Sequence, residues 1–308
     1  MSDDRPEFAF IDWIARHSLP RPEVRLGIGD DAAVLNTSGQ DWVLTKDVIT
    51  SGVHFAPETP PELIGRKALA VNLSDLAAMA ARPCAAFIGI VLPKSWSRSQ
   101  AEQLYQGLFD MARQWNVAIA GGDTNSWDGP LVVSVTLTGL VPENQAVTRT
   151  GAVPDDVVLI TGPVGGSLHR NRHLQFIPRV KEALQLRSAC EIHAMLDISD
   201  GLASDLFHLI DANGLGLTLT GAAIPIHADV PESLSTEARL QAALNDGEDF
   251  ELLLCLDSAT ADRLLADPLP GIDLFPIGKI TREPGIRLNW NGRPTPLPRG
   301  GWSHAFGP

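Results

Sequence analysis

The chain has 308 residues, 44% of them hydrophobic and 20% charged, close to the averages for soluble folded proteins and far from those of a disordered chain. Its length predicts two domains. With 24 Lys and Arg against 37 Asp and Glu, a formal net charge of −13 argues against a nucleic-acid or anionic-membrane binder working through bulk electrostatics, so neither is expected as a partner.

Helical spacing of Phe10, Ile11, Trp13 and Ile14 predicts a helix over 9–16. A short β-rich run follows at 41–45. Pro60-Pro61 then opens a helical stretch through Leu63, Ile64, Ala68, Leu69 and Val71, proline being tolerated in a first turn where no donor is lost. The apolar run 85–92, bounded by Pro83 and Pro93, predicts a buried strand. It is about half the length of a membrane span, which needs ~20 residues. An amphipathic helix over 99–115 presents Leu104, Leu108 and Met111 on one face, and strands follow at 117–120 and 131–140. Pro142, Gly151 and Pro154 interrupt the pattern, which divides the chain into 1–147 and 148–308. Beyond come strands at 157–160, 194–198 and 250–256 and helices at 179–189 and 202–210, and the proline-rich end after Arg282 looks irregular. The pattern is that of two mixed α/β domains.

Cys84, Cys190 and Cys255 form no CxxC pair and suit a reducing compartment. The acidic start Met1-Ser2-Asp3-Asp4-Arg5 lacks the features of a secretory signal, so a cytoplasmic location is expected.

The aspartates carry the chemical information. They fall at Gly29-Asp30-Asp31, Thr45-Lys46-Asp47, Asn72-Leu73-Ser74-Asp75, Gly121-Gly122-Asp123, Asp197-Ile198-Ser199-Asp200-Gly201 and Gly247-Glu248-Asp249, nearly always at predicted strand ends. Taken singly, Asp75 and Asp200 fit N-caps of helices beginning at Leu76 and Gly201, and Asp30 and Asp123 fit turns beside glycine. Taken together, converging carboxylates repel and raise one another's pKa unless cations separate them. Hard divalent cations resolve that conflict, and Mg²⁺ bound by carboxylates and water usually also holds substrate phosphates. The chain has no GxxxxGK[ST] loop, no protein-kinase HRD and DFG set, no EF-hand spacing, no HExxH and no GxSxG. Acids and metal, in place of lysines, are thus expected to handle phosphate.

The segments GIGDDAAVL (27–35), DVITSGVHF (47–55), GRKALAVNLSDLAAMAARP (65–83), GGDT (121–124), TRTGA (148–152), LDISDGL (196–202), GEDFELL (247–253) and IGKIT (277–281) together resemble the thiamine-monophosphate kinase family. They stand in family order along nearly the whole chain. The wider superfamily is that of aminoimidazole ribonucleotide synthetase. SDLAAMAA and DISDGL recur across it, whereas GVHF, GGDT and GEDFEL with Gly301-Trp302-Ser303-His304 point to the thiamine enzyme.

The resemblance implies an α/β fold with mixed sheets in two domains, the N-terminal domain contributing strands to a homodimer barrel. It implies transfer of the ATP γ-phosphoryl group to thiamine monophosphate with several Mg²⁺ ions. Asp30, Thr45, Asp47, Asp75, Asp123, Asp197 and Asp200 would hold metal. Tyr105, Gly121, Gly122, Arg149 and Ser199 would lie around ATP, and His54, Glu248 and Trp302 would face the thiamine substrate. Bland alternatives stay open: core packing for Tyr105, a hydrophobic edge for Trp302, a structural histidine at 54 and an ordinary linker charge at 149.

Three departures from the family pattern stand out. Lys46 replaces the usual Ser or Thr, and its ammonium either substitutes for one cation's charge or points to solvent. The glycine-rich stretch at 161–176 is shortened and carries Leu168-His169-Arg170-Asn171-Arg172-His173, a candidate phosphate contact. Ala305 separates His304 from Phe306. Rival readings are a sister ATP-dependent enzyme of the superfamily and a non-catalytic ATP- and magnesium-binding homologue.

Overall fold

The computed structural model describes residues 24–37 and 39–302. The helix expected over 9–16, and His304 and Phe306, lie outside the described residues. Among the described residues the first sheet has six strands in the order β1-β2-β3-β6-β4-β5. They are β1 Val24–Leu26, β2 Ala33–Thr37, β3 Gln40–Thr50, β4 Arg82–Pro93, β5 Ala118–Trp127 and β6 Val132–Pro142. All neighbours are antiparallel except β4 and β5.

Helices α1 (Pro61–Ala78) and α2 (Arg98–Gln114) cover one face of this sheet. Pro61 occupies the first turn of α1, and a capping box between Ser97 and Gln100 starts α2. The two helices meet backbone to backbone. A Cβ at Gly65 would stand 1.9 Å from the Leu104 carbonyl oxygen, and one at Gly107 would stand 1.9 Å from that of Glu62. No larger residue fits at either crossing position.

Two expectations change here. The sequence suggests a break at Asn72–Asp75, but α1 runs through it without interruption, so Asp75 is a helix-interior residue and no N-cap. The polar side chains that imitate a loop are buried and hydrogen-bonded. The segment Gly121–Asp123, expected after a strand, lies inside β5. An exposed edge strand tolerates such weak β-formers because it has little side-chain packing to lose.

The second sheet has, among the described residues, seven strands in the order β13-β12-β9-β11-β7-β10-β8. They are β7 Val157–Ile160, β8 Ala194–Asp197, β9 Gly216–Thr220, β10 Leu252–Leu256, β11 Phe275–Thr281, β12 Gly285–Trp290 and β13 Arg293–Pro296. The last two order the proline-rich end expected to be irregular. Helices α3 (Val180–Ala189), α4 (Leu202–Asn213), α5 (Thr236–Asn245) and α6 (Ser258–Ala266) flank it.

Strands β7, β8 and β10 of this sheet are buried on both faces, which explains their unbroken apolar runs. Val158, Ile160, Leu253 and Cys255 pack with α4 and α5. Val157, Leu159, Leu252, Leu254 and Leu256 face the other way, into a core continuous with that of the first sheet. Helix α1 lies in that shared core and touches β3, β6, β8 and α3. It is therefore the element that can carry side chains from one half of the molecule to the other. Among the described residues no helix is long and apolar enough to cross a membrane.

Candidate active site

Acids reach one cleft from five elements. In the β1–β2 turn Gly29 takes φ 128°, which side-chain-bearing residues rarely adopt. Asp30 closes this turn, accepting from the Asp31 N–H (2.9 Å) and the Arg149 N–H (3.0 Å). On β3 the Thr45 hydroxyl donates to Asp75 of α1, and the Asp47 N–H donates to Asn72 Oδ1 (3.3 Å). Ser74, also on α1, donates to Asp197 Oδ2 (2.5 Å) at the end of β8. Gly201 (φ 110°) then turns the chain into α4 as its N-cap, the position expected of Asp200, and the start of α4 carries Asp205 and His208.

The result is a cavity of about 560 Å³ whose walls include Asp30, Asp31, Asp47, Asp75, Asp200 and Asp205. Oxygens of Asp31, Asp75 and Asp197 lie within 4.8 Å of one another. Burial and mutual repulsion push these acids toward their neutral forms. Asp197 is raised to about 8 by burial and then by Asp31, and Asp30 to about 6 by burial and then by Asp31. Asp47 is raised to about 6 by burial, and Asp75 and Asp205 stand well above the usual range by burial and neighbouring carboxylates. Arg149 answers part of this charge, with its guanidinium 2.7 Å from Asp31 Oδ1. Asp31 Oδ2 and Asp205 Oδ2 are buried and meet no donor. Oxygen-rich, undercompensated and partly orphaned, this donor set fits hard divalent cations such as Mg²⁺.

A second cavity of about 250 Å³ adjoins the first and shares Asp47, Ser199 and Asp200 with it. Its walls are mixed: His54, Glu248 and Asp246 beside Val53, Val71, Phe250 and the half-exposed Trp302. Glu248 and Phe250 both take positive φ, 53° and 54°, so the segment between them is held against its conformational preference. Three cations hold it. Lys67 of α1, without solvent exposure, reaches Glu248 Oε1 and Oε2 at 2.6 and 2.8 Å. Arg172 meets Asp249 at 2.9 Å, and Arg179 meets Glu251 at 2.6 Å. Phe250 stacks on Phe176 at 4.0 Å between ring centres.

The structure thus gathers Asp30, Thr45, Asp47, Asp75, Asp197, Asp200, Arg149 and Ser199 around the acidic cavity, and His54, Glu248 and Trp302 around its neighbour. It does not bring Tyr105, Gly121, Gly122 or Asp123 to either. Strand pairing Asp47↔Val135, Val135↔Ile88 and Ile88↔Gly122 puts β5 three strands from Asp47, about 14 Å away at the usual spacing. Asp123 lies one residue on, exposed, on the opposite face of the sheet. Tyr105 packs against the core of α2 with its ring 5.8 Å from Phe109.

Lys46 also departs from one expectation. Its ammonium donates to Ser134 (2.8 Å) and Thr136 (3.3 Å) on β6, so although Lys46 is among the residues lining the acidic cavity, its charge is engaged by these two hydroxyls and not by the carboxylates. Nor is Arg172 a free phosphate contact: it is engaged by Asp229, Asp249 and the Gly165 carbonyl. Sequence reasoning passed over Asp31 as a ligand in favour of Asp30, and it passed over Asp205, His208 and Lys67. A lysine between the apolar pairs Leu63-Ile64 and Ala68-Leu69 was the available signal for the last.

Comparison with known proteins now bears on this arrangement. Residues 29–141 match the family described as AIR synthase related protein, N-terminal domain. A thiamine-monophosphate kinase of Rhodopirellula baltica is 36% identical over 291 residues, covering 91% of each chain. This chain belongs to the thiamine-monophosphate kinase family. The homologous kinase of Escherichia coli K12 is 33% identical over 325 residues, covering 97% of this chain and 98% of its own. The solved structure of AaThiL complexed with AMPPCP and TMP matches with a TM-score of 0.84 at 26% identity, covering 97% of both chains. The family is one of ATP-dependent phosphotransferases, and the mixed two-sheet architecture is the aminoimidazole ribonucleotide synthetase-like fold that the motifs implied.

Proposed function

We propose that this protein transfers the γ-phosphoryl group of ATP to thiamine monophosphate, giving thiamine diphosphate and ADP. The observation that carries the reading is the junction of two cavities at Asp47, Ser199 and Asp200, one lined by acids and the other by mixed polar and aromatic groups. Two polyanions meeting at that junction, with a flat cationic ring system beyond it, fill both cavities. The family relatives support this, and AaThiL has been captured with AMPPCP and TMP together.

Asp30, Asp31, Thr45, Asp47, Asp75, Asp197 and Asp200 would hold Mg²⁺, which when bound supplies positive charge to the phosphate oxygens of donor and acceptor. Arg149 contributes the fixed positive charge that the chain itself provides there. The acceptor phosphate has a second pKa of ~6, so it is largely a dianion at neutral pH and needs no general base. Its oxygen attacks the γ-phosphorus as the bond to the departing ADP oxygen breaks, and positioning dominates such a transfer. His54, Glu248 and Trp302 bind the thiamine moiety, the indole offering a π-face to the cationic ring. Ser199 borders both cavities and contacts ATP.

Tyr105, Gly121, Gly122 and Asp123 enter the reading through a homodimer. Strand β5 is an exposed edge, and Phe87, Val48 and Trp127 are exposed nearby, a surface suited to a second copy. Unpaired Cys84, Cys190 and Cys255 suit the cytoplasm.

The deciding experiment incubates purified protein with ATP, Mg²⁺ and thiamine monophosphate. Stoichiometric thiamine diphosphate and ADP are expected. ATP binding without product, or turnover confined to a different phosphate acceptor, refutes the proposal.

A further inference from the structure

The Lys67 ammonium has three N–H donors, and three acceptors take them: Glu248 Oε1 at 2.6 Å, Glu248 Oε2 at 2.8 Å and the His54 carbonyl at 2.6 Å. Lys67 sits in the middle of α1 with no solvent exposure, whereas the Glu248 side chain is 23% exposed and borders the mixed cavity. Both oxygens of the carboxylate are thus pinned by one cation, in a side chain that lines the cavity and stays partly exposed to it. A carboxylate held this way is no free counter-ion, because the ammonium bound to it cancels much of its field at the ligand. It remains a strong and rigidly oriented hydrogen-bond acceptor. The same ammonium fixes the backbone at His54, so one side chain sets two walls of the cavity.

We propose that Lys67 is a specificity-determining positioning residue, which turns Glu248 from a charge partner into an acceptor for a neutral N–H group of the substrate. In thiamine monophosphate that group is the amine of the aminopyrimidine ring, and the cationic thiazolium is left to Trp302 and the acids at the junction. The inference rests on the substrate reading above and names the part of the substrate that the Glu248 wall recognises. A site built around an acceptor discriminates strongly against an analogue that lacks the matching donor, because a buried polar group is then left unpaired.

The probe is the 4-oxo analogue of thiamine monophosphate, in which a carbonyl replaces the ring amine while both phosphate and thiazolium remain. The quantity measured is the ratio of kcat/KM for the amino over the oxo substrate, with KM for ATP and thermal melting recorded alongside. The unmodified enzyme is expected to favour the amino substrate by 10-fold or more, and Lys67→Met to lower that ratio to about 3-fold or less, with KM for ATP unchanged within 2-fold. Glu248→Gln on intact Lys67 gives an independent reading that does not rely on Lys67→Met folding. Lys67 then engages the amide oxygen and turns the amide N–H₂ toward the cavity, so the preference is expected to invert in favour of the oxo analogue.

An amino/oxo ratio that survives either substitution overturns the proposal. So does a Lys67→Met protein in which melting temperature falls and both KM values rise together, the signature of a purely structural lysine. If Glu248→Ala leaves KM for thiamine monophosphate unmoved, the fault lies with the substrate assignment of the cavity and not with Lys67.

Discussion

Two groups of buried carboxylates stand side by side in this molecule, and the protein treats them in opposite ways. Along 248–251 each acid has its own cation: Lys67 for Glu248, Arg172 for Asp249 and Arg179 for Glu251. Around the acidic cavity Asp31, Asp47, Asp75, Asp197 and Asp205 crowd together with Arg149 as their cationic neighbour, and two of their oxygens meet no donor. The first group is balanced charge for charge, which fixes the geometry of the wall that Glu248 presents to the mixed cavity. The second has a deficit that only a visitor can fill, and the contrast separates acids held in place by the chain's own cations from acids left for a ligand to neutralise.

The contrast breaks most sharply under substitution. Asp75→Asn should lower kcat/KM by about 10²–10³-fold, the usual cost of losing one organised electrostatic group. It should also raise the melting temperature of the metal-free protein, because a repelling charge is gone. A fall in both quantities would move Asp75 into the balanced group. Arg172→Ala should do the reverse. It leaves Asp249, whose side chain has no exposure, without its cation, at a cost of about 3 kcal/mol in denaturant unfolding that added Mg²⁺ does not restore.

The pH dependence sharpens the same distinction. Asp30 and Asp47 near 6 and Asp197 near 8 stand above the ordinary 3.8. The folded protein therefore keeps protons that the unfolded chain has already released. Their contribution to stability is complete below about pH 4 and is lost as pH rises through 6 and then 8. Melting of the metal-free protein should accordingly drop by a few degrees between pH 5 and pH 8, and saturating Mg²⁺ should flatten the slope. The smallest effect is expected at Lys46. Because its ammonium is engaged by two hydroxyls of β6, Lys46→Thr should leave the Mg²⁺ dependence of turnover within about 2-fold of the unmodified enzyme, as a Mg²⁺ titration would show.

Much of this was written plainly in the residues. The runs at 157–160 and 250–256 announce strands buried on both sides, and the aspartates at the strand ends announce a shared pocket. What misled was polarity in unusual places. Asn72, Ser74 and Asp75 look like a loop because such residues compete with helical hydrogen bonds, yet each finds a partner on another element, the Asp47 N–H, Asp197 and the Thr45 hydroxyl, and stays helical. Gly121 and Gly122 look like a turn because neither packs a side chain, yet an edge strand accepts them. The choice of Asp30 over Asp31 could not be made from the chain alone, since adjacent residues diverge only once the turn's own hydrogen bonds are known. Lys67 stayed invisible because its partners lie 13 and 181 residues away.

Helix α1 has one more consequence. Lys67 and Asp75 stand eight residues apart on it, which at 1.5 Å per residue sets them about 12 Å apart along a rigid rod. One end touches the wall assigned to the ring system and the other the acids assigned to phosphate, so the helix serves as a ruler for the molecule it accepts. A substrate with its phosphate tethered too short or too long cannot satisfy both ends at once. Inserting a single residue between them would swing one end by about 100° relative to the other, which leaves evolution free to vary this protein's surface but not the length of that rod.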